Sequence, residues 1–241
     1  MQNKIFITTA LILGASFVFG VIIATITFYN VRALDNVISV TGSAKKAVTS
    51  DAVKWSIAFN RNTTQSTLQT GYSRMAKDLE IIKKFLVDNG IGEDALTINT
   101  IQMNEVWKNY EVAAENKEYT LYQNVEIDSD EVDLVNRLSK EIGGLIGQGI
   151  IVTSNYLSYT YSGLAEQRVA LLSEAVADAR ARAEQLVAGT GKKIGKLRSA
   201  SSGVVQVLAS NSIDISDYGQ YDTSTVDKDV MVTVKASFLL K

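Results

Sequence analysis

The chain has 241 residues, of which 46 % are hydrophobic and 21 % are charged, and its formal net charge is −2. It contains no cysteine, histidine or proline. Disulfides, thiol nucleophiles, Ser-His-Asp triads and histidine-based metal sites are therefore excluded. The near balance of 24 basic and 26 acidic residues provides no basic field for nucleic acid, so we expect no nucleic-acid partner.

The first element in the chain is an uncharged, apolar run over residues 5–29. A helix of this length would extend roughly 37 Å, more than the hydrocarbon core of about 30 Å. The run is apolar on every side, which is typical of a membrane helix and not of a core helix with one polar stripe. We predict that residues 5–29 cross the lipid bilayer as a retained anchor. A cleaved signal stays open as the alternative, with Val31-Arg32-Ala33 as its cleavage site.

The charges beside this run indicate its orientation only slightly. Lys4 precedes the run, whereas Arg32 and Asp35 follow it, and the positive-inside rule then favours a cytoplasmic N-terminus. This orientation would place the rest of the chain in the periplasm or outside the cell, although a domain facing the cytoplasm stays open. We predict an anchor over residues 1–32 and one domain over residues 33–241.

From residue 37 onward, the hydrophobic pattern alternates between strands and helices. A period of two predicts strands at residues 53–60, 119–127 and 230–238. Strand-forming composition, as in the β-branched and tyrosine residues of 150–161, predicts further strands at residues 37–41, 96–107, 150–161 and 194–208. Helical spacing predicts a long helix from Asn62, with Gln65 completing a capping box, to Asn89-Gly90. It also predicts a short helix at residues 130–142 and a second long helix at residues 163–187, with Leu186 on its inner face. Residues 30–36, 108–117 and 210–225 are expected to be connections or loops.

This order predicts an α+β fold, in which an antiparallel or mixed β-sheet carries two long helices and one short helix, preceded by one transmembrane helix. The last strand reaches the C-terminal residues, so a C-terminal truncation should be costly.

Two glycine-rich segments bear a weak likeness to nucleotide sites. Gly189-Thr190-Gly191-Lys192-Lys193 has Leu186 where a Walker motif needs glycine and Lys193 where it needs serine or threonine. The glycine-rich residues 143–149 resemble a dinucleotide fingerprint only in glycine content. Both segments follow helices instead of strands, so we interpret them as helix ends and predict no bound cofactor.

The acidic residues give no stronger indication of a reaction. Residues 128–133 begin like a calcium loop, but Val132 occupies a ligand position and the turn glycine is missing, which favours a helix cap. Glu174, Asp178 and Glu184 on the second long helix could supply paired carboxylates for acid-base work or a hard metal. However, Asp178 and Glu184 stand four residues from Arg182 and Arg180, which is the spacing of a solvated helix face. We predict no catalytic and no metal-binding residues. A Ser/Lys pair stays open, because spatial proximity is not visible in a sequence.

Five tyrosines form the candidate site for partner contact. Tyrosine is enriched at interfaces because its ring buries area while its hydroxyl keeps a hydrogen bond, although it is also common in ordinary strands. The candidates lie in the strand at residues 150–161 and in the polar loop at residues 210–225: Tyr156, Tyr159, Tyr161, Tyr218 and Tyr221.

Several segments together resemble the SIMPL-domain family. They are Ile38-Ser39-Val40-Thr41-Gly42, Ser50-Asp51-Ala52-Val53, residues 89–97 (NGIGEDALT) and residues 174–184 (EAVADARARAE) with the following Gly191 and Gly195. The resemblance covers nearly everything after the apolar run. The chain departs from the family pattern at Ser50, where proline is common, and at Leu121-Tyr122, where Gly-Tyr is common.

The resemblance implies a bacterial envelope protein with an α+β domain, a tendency to oligomerise and, in some members, an association with stress tolerance. No established catalytic residues come with the family. Our first hypothesis is a non-enzymatic, membrane-anchored homo-oligomer, with another envelope protein as a further partner. The alternative is an envelope hydrolase or ligand-binding protein that uses carboxylates or a Ser/Lys pair, for which a concave pocket with converging polar groups would be evidence.

Overall fold

The computed structural model describes residues 2–33, 36–108, 113, 117–212 and 216–241. Helix α1 (Gln2–Ala33) has 32 residues. Its segment Leu11–Tyr29 has a mean hydropathy of 2.4, and none of it is buried against the rest of the described chain. By length and composition, α1 is able to cross a membrane. The helix continues beyond Tyr29, where a connection was expected; residues 34 and 35 of that connection lie outside the described residues.

The remaining elements confirm the α+β class. The helices are α2 (Leu68–Asp88), α3 (Val132–Glu141) and α4 (Leu164–Val187). The strands are β1 (Val37–Thr49), β2 (Ala52–Thr64), β3 (Leu96–Ile98), β4 (Gln102–Glu105), β5 (Glu118–Ser129), β6 (Ile151–Thr160), β7 (Ile194–Ser202), β8 (Gln206–Ala209), β9 (Gln220–Tyr221) and β10 (Asp227–Leu240). The described strands form two five-stranded sheets instead of the single sheet that was expected.

The chain groups into two compact units. Unit 1 comprises Met1–Ala44, Val169–Val204 and Val232–Lys241, and unit 2 comprises Lys45–Arg168 and Val205–Met231. Strands β1 and β10 each contribute residues to both units. The predicted domain boundaries, residues 1–32 and 33–241, remain a prediction.

Unit 2 is built on the antiparallel sheet β3-β5-β2-β6, in which β4 also pairs with β5. The alternation predicted for β2 is confirmed, because every second residue is fully or almost fully buried, namely Val53, Trp55, Ile57 and Phe59. One face of α2 packs on this core through Met75, Ile82 and Leu86. Residues of α3 add to the same cluster, so the helices cover one face of the sheet.

The predicted start of α2 is wrong, whereas its predicted end is confirmed. Asn62 still belongs to β2, where its side chain accepts a hydrogen bond from Thr120 Oγ1 at 3.0 Å. A short 3-10 helix, Gln65–Thr67, leads into α2, and the capping box of Thr64 and Thr67 belongs to it, with Thr64 N donating to Thr67 Oγ1 at 3.1 Å. At the other end Gly90 has a φ of 99°, and Ile91 N donates to Leu86 O at 3.0 Å. This is the left-handed ending that glycine permits.

Two other predicted strands are each divided in two. Residues 99–101 separate β3 from β4, although Asn99 still bonds the neighbouring strand β5: its N–H donates to Asn124 O and its carbonyl accepts from Gln123 Nε2. Residues 203–205 separate β7 from β8, which pair with different parts of β10. The expected loop at residues 108–117 lies mostly outside the described residues. The expected loop at residues 210–225 contains β9, and residues 213–215 lie outside the description.

In unit 1, helix α4 packs on strands β1 and β10. Ala175, Ala179 and Ala183 are fully buried and pack against the strand residues Val40, Val234, Ala236 and Phe238. The prediction for Leu186 is wrong, since this side chain is 62 % exposed. The buried stripe advances in steps of four, so Val187 continues it in place of Leu186.

Candidate interaction edge of unit 2

Strand β6 is the last strand of its sheet, and β2 is its only strand partner among the described residues. On the opposite side, Tyr159 N donates to Thr223 O at 2.8 Å. Because backbone groups alternate sides along a strand, the N–H and C=O groups of Leu157 and Asn155 point to this same side. No described residue bonds them there. Strand β6 therefore has an open backbone edge at these two residues.

The side chains of β6 carry no charge in the sequence IVTSNYLSYT. Ile151 is 51 % exposed and Tyr156 is 55 % exposed. Asn155 is held in place from the core side, because its Oδ1 accepts from Trp55 Nε1 and its Nδ2 donates to Ser139 O, both at 2.6 Å. The edge thus combines fixed geometry with none of the lysines or prolines that commonly protect sheet edges.

The structure brings four of the five predicted tyrosines to this edge. Tyr156 Oη lies 3.4 Å from Thr223 Oγ1, and Tyr221 Oη accepts a hydrogen bond from Tyr161 N at 3.2 Å. Tyr159 is only 6 % exposed, so its side chain is buried and is the one of these four that a partner could not reach. Burial raises the pKa of Tyr159. Its ring instead joins the hydrophobic core, as alternate residues of a strand beside a core do.

Tyr218 stands apart from the other four. Its side chain is 96 % exposed, and its backbone N donates to Ser216 Oγ at 3.3 Å within its own loop. Tyr218 is therefore available to a partner, but it does not share the contacts of Tyr156, Tyr161 and Tyr221.

The segment beside β6 is fixed by a buried lysine that the sequence analysis missed. Lys228 is 0 % exposed and its Nζ donates to Thr225 O at 2.5 Å and to Asp222 O at 2.6 Å. Asp222 also accepts hydrogen bonds from Ser224 and Thr225. Burial opposes ionisation of Asp222, but these hydrogen bonds hold its pKa far below the usual range. The alternation along β10 could have identified Lys228, since it lies two residues before the buried Val230 and therefore on the same face of the strand.

A cavity of about 660 Å³ lies at another part of unit 2, between the start of β2 and the start of α3. Its lining includes four acidic residues and one basic residue: Asp51, Asp130, Glu131, Asp133 and Arg137. Asp51 is occupied by Ser162, whose N and Oγ donate to its two carboxylate oxygens at 2.8 and 2.6 Å. The hydrogen bond from the Ser162 hydroxyl lowers the pKa of Asp51. Ser50, also in the lining, is 5 % exposed, and its Oγ has no partner among the described residues.

The other sequence candidates have structural roles. Both glycine-rich segments contain left-handed glycines, with φ of 80° at Gly149, 84° at Gly189 and 75° at Gly191. Asp178 and Arg182 bond at 2.7 Å, as do Arg180 and Glu184 at 3.1 Å. Asp178 Oδ2 also accepts from Ser43 N at 2.8 Å. In the described part of the chain, no group of three or more acidic side chains is arranged to hold a metal ion.

The fold is that of an α+β domain preceded by an apolar helix. The sequence matches the SIMPL family model, described as a protein of unknown function (DUF541), over residues 38–238. The chain belongs to the SIMPL family. No curated protein matches it.

Proposed function

We propose that this protein is a membrane-anchored, self-assembling and non-enzymatic component of the bacterial cell envelope. In this proposal α1 crosses the inner membrane once, and the SIMPL domain faces the periplasm or the outside. The segment Leu11–Tyr29 supports the anchor, since its 19 uncharged residues extend about 28 Å as a helix, close to the hydrocarbon thickness. A reporter fused after Lys241 tests the orientation, because activity restricted to the cytoplasm would contradict it.

The open edge of β6 is the observation that carries the proposed self-assembly. An unpaired strand edge is a template for another strand. Two copies of β6 can pair antiparallel about a two-fold axis, and a two-fold contact requires one surface to be complementary to itself. The absence of charge along β6 means that such a pair brings no like charges together. Tyr156 would add aromatic contact area on the same edge.

The test is the mass of the full-length protein in detergent, measured by light scattering over a dilution series. We expect one discrete multimer for the natural chain. A lysine on the edge should block strand pairing, so Tyr156→Lys should lower the mass to that of the monomer. The matched control is Tyr72→Lys, since Tyr72 is 38 % exposed but lies on α2. A monomeric natural chain would contradict self-assembly, and a multimeric Tyr156→Lys variant would exclude the β6 edge.

The association of some family members with stress tolerance leads us to propose a related role here, in which an assembled SIMPL array contacts a further envelope protein. The exposed Tyr218 and Tyr221 are the side chains that we assign to such a contact. Survival of a deletion strain under oxidative or heat stress tests this role, with complementation by the natural chain and by a Tyr218→Ser/Tyr221→Ser variant. Full complementation by that variant would exclude the two tyrosines from the role.

The cavity lined by Asp51 and Arg137 favours a second candidate, ligand binding in the envelope. Its acidic lining suits a small organic cation, and spermidine is a suitable probe. Binding should raise the unfolding temperature of the natural chain and not that of Asp130→Asn/Asp133→Asn. An unchanged unfolding temperature of the natural chain would exclude this candidate for cations of that kind.

A further inference from the structure

One end of unit 1 carries exposed lysines with no acidic partner. Lys192, Lys193, Lys196 and Lys241, here called the lysine rim, are all exposed. None of them forms an ion pair with a described carboxylate, whereas seven of the ten lysines of unit 2 do. The lysine rim is therefore a cluster of lysine side chains without an ion pair in the described part of the chain, whereas most lysines of unit 2 are paired.

Hydrogen bonds join the lysine rim to Asn36. Lys192 Nζ donates to Asn36 Oδ1 at 3.0 Å, and Leu240 N donates to Asn36 O at 2.9 Å. Lys193 and Lys241 bond to each other through their backbones, with N–O distances of 2.9 and 3.0 Å. The turn at residues 189–193 and the end of β10 thus form one hydrogen-bonded cluster around Asn36.

The position of Asn36 in the chain places this cluster near the end of α1. Only residues 34 and 35 separate Asn36 from Ala33, the last residue of α1. Three Cα–Cα steps span at most about 11 Å, and the part of α1 beyond Tyr29 adds about 6 Å. The polar layer of a bilayer occupies roughly 5–8 Å on each side. With Leu11–Tyr29 across the hydrocarbon core, Asn36 and the Lys192 ammonium bonded to it lie within about one Debye length, ~10 Å, of the lipid phosphates.

We propose that the lysine rim binds the headgroup phosphates of anionic phospholipids in the leaflet next to the end of α1. This inference rests on the proposed membrane anchor. The occupant follows from charge complementarity and from continuity with the apolar helix. The opposing charge of Asp35 in the connecting segment is outnumbered by the four lysines and by Arg32. Each lysine held near an anionic surface strengthens binding about fivefold. Contact with the lipids would hold unit 1 against the bilayer.

The experiment uses the full chain in lipid nanodiscs, either zwitterionic or containing phosphatidylglycerol. Acetylation by a water-soluble lysine reagent is measured at each lysine by mass spectrometry. Phosphate contact should slow acetylation of the rim at least threefold in the anionic discs, and 0.5 M NaCl should restore it because salt screens the contact. Lys77 and Lys140 are the internal controls, since both are exposed in unit 2 without an ion pair. Equal rim acetylation in both kinds of disc would overturn the proposal.

A variant separates lipid binding from local structure. Lys192→Gln/Lys193→Gln/Lys241→Gln should lower the number of phosphatidylglycerol molecules retained after mild detergent extraction at least fivefold. The corresponding triple arginine variant should retain them, and Lys77→Gln/Lys140→Gln should behave like the natural chain. Loss of bound phosphatidylglycerol in both the triple glutamine and the triple arginine variant would contradict a role for the positive charge. Protein that does not migrate with the discs would contradict the membrane anchor. Protein that does migrate with them, but whose rim lysines are acetylated equally in both kinds of disc, would contradict only the lipid contact.

Discussion

Lys228 and Asp222 are joined twice inside unit 2, because the lysine Nζ bonds both the backbone carbonyl and the Oδ2 of Asp222, at 2.6 and 3.2 Å. A fully buried ammonium group is stable only when hydrogen bonds replace its water. Here three acceptors from residues 222–225 do so. Lys228 therefore fixes the segment whose Thr223 bonds the edge strand β6.

The first prediction concerns the loss of this lysine. Lys228→Met keeps the length of the side chain but removes the ammonium donor from two partly buried carbonyl groups and from the Asp222 carboxylate, which keeps only the donors of Ser224 and Thr225. We expect a loss of about 3 kcal/mol in the free energy of unfolding, measured by urea denaturation of the full chain in detergent. Lys84→Met is the matched control, since the Lys84 side chain is 75 % exposed. A loss no larger than that of the control would contradict the structural role of Lys228.

The second prediction is a loss of stability in acid. Hydrogen bonds lower the pKa values of Asp51, Asp222 and Asp229 below the ordinary value of 3.8. For Asp229 the donors are Lys45 Nζ at 2.9 Å and Asn211 N at 3.0 Å. A carboxyl group whose folded pKa is depressed stabilises the fold fully above its unfolded pKa. That stabilisation is lost as the pH falls through the folded pKa. We therefore expect the free energy of unfolding to decrease below about pH 4.

Asp222→Asn identifies the contribution of one carboxylate to this acid response. The variant should be less stable than the natural chain by about 1–3 kcal/mol at neutral pH, and the difference should shrink below about pH 4. Denaturant titrations between pH 2 and pH 7 measure both values. The control Asp88→Asn removes an exposed carboxylate that pairs with Lys84. A constant difference between Asp222→Asn and the natural chain over the whole range would show that the charge of Asp222 does not stabilise the fold.

Periodicity predicted the strands and helices whose burial is regular. The burial of Trp55 and Phe59 in β2 followed from alternation, and the buried alanines of α4 followed from helical spacing. The start of α2 could not be found in this way, because Asn62 satisfies its side chain across the sheet instead of at a helix end. Local patterns also do not show which strands share a sheet, so the presence of two sheets was missed.

The candidate site was predicted only in part, for a related reason. Sequence identifies the tyrosines but not which face of the sheet is buried. Tyr156 and Tyr159 are three positions apart on β6, so their side chains point to opposite faces, and only that of Tyr159 meets the core. The open backbone of Leu157 depends on the order of the strands in space, which no local pattern contains.

The third prediction concerns a close approach in unit 1. A Cβ on Gly42 would clash with the carbonyl oxygen of Ala175 and the amide nitrogen of Ala179, and would lie 2.7 Å from Ala179 Cβ. These are backbone atoms and a short side chain, which cannot rotate away. We expect Gly42→Ala to lower the free energy of unfolding by about 1–3 kcal/mol. Gly144→Ala is the matched control, since an added Cβ there meets nothing within 4 Å. Equal unfolding midpoints for the two variants would contradict this packing.

The fourth prediction tests how far the end of β10 stabilises unit 1. Phe238 is 1 % exposed and packs in the cluster around the alanines of α4, and it pairs across the sheet with Leu197 of β7. Phe238→Ala should cost about 3–5 kcal/mol, because it removes a large buried side chain and leaves a cavity. Leu197→Ala changes its direct neighbour on the adjacent strand, but Leu197 is 45 % exposed, so its cost should be much smaller. Thermal unfolding followed by circular dichroism compares the two variants, and similar unfolding temperatures would show that the end of β10 does not support the core of unit 1.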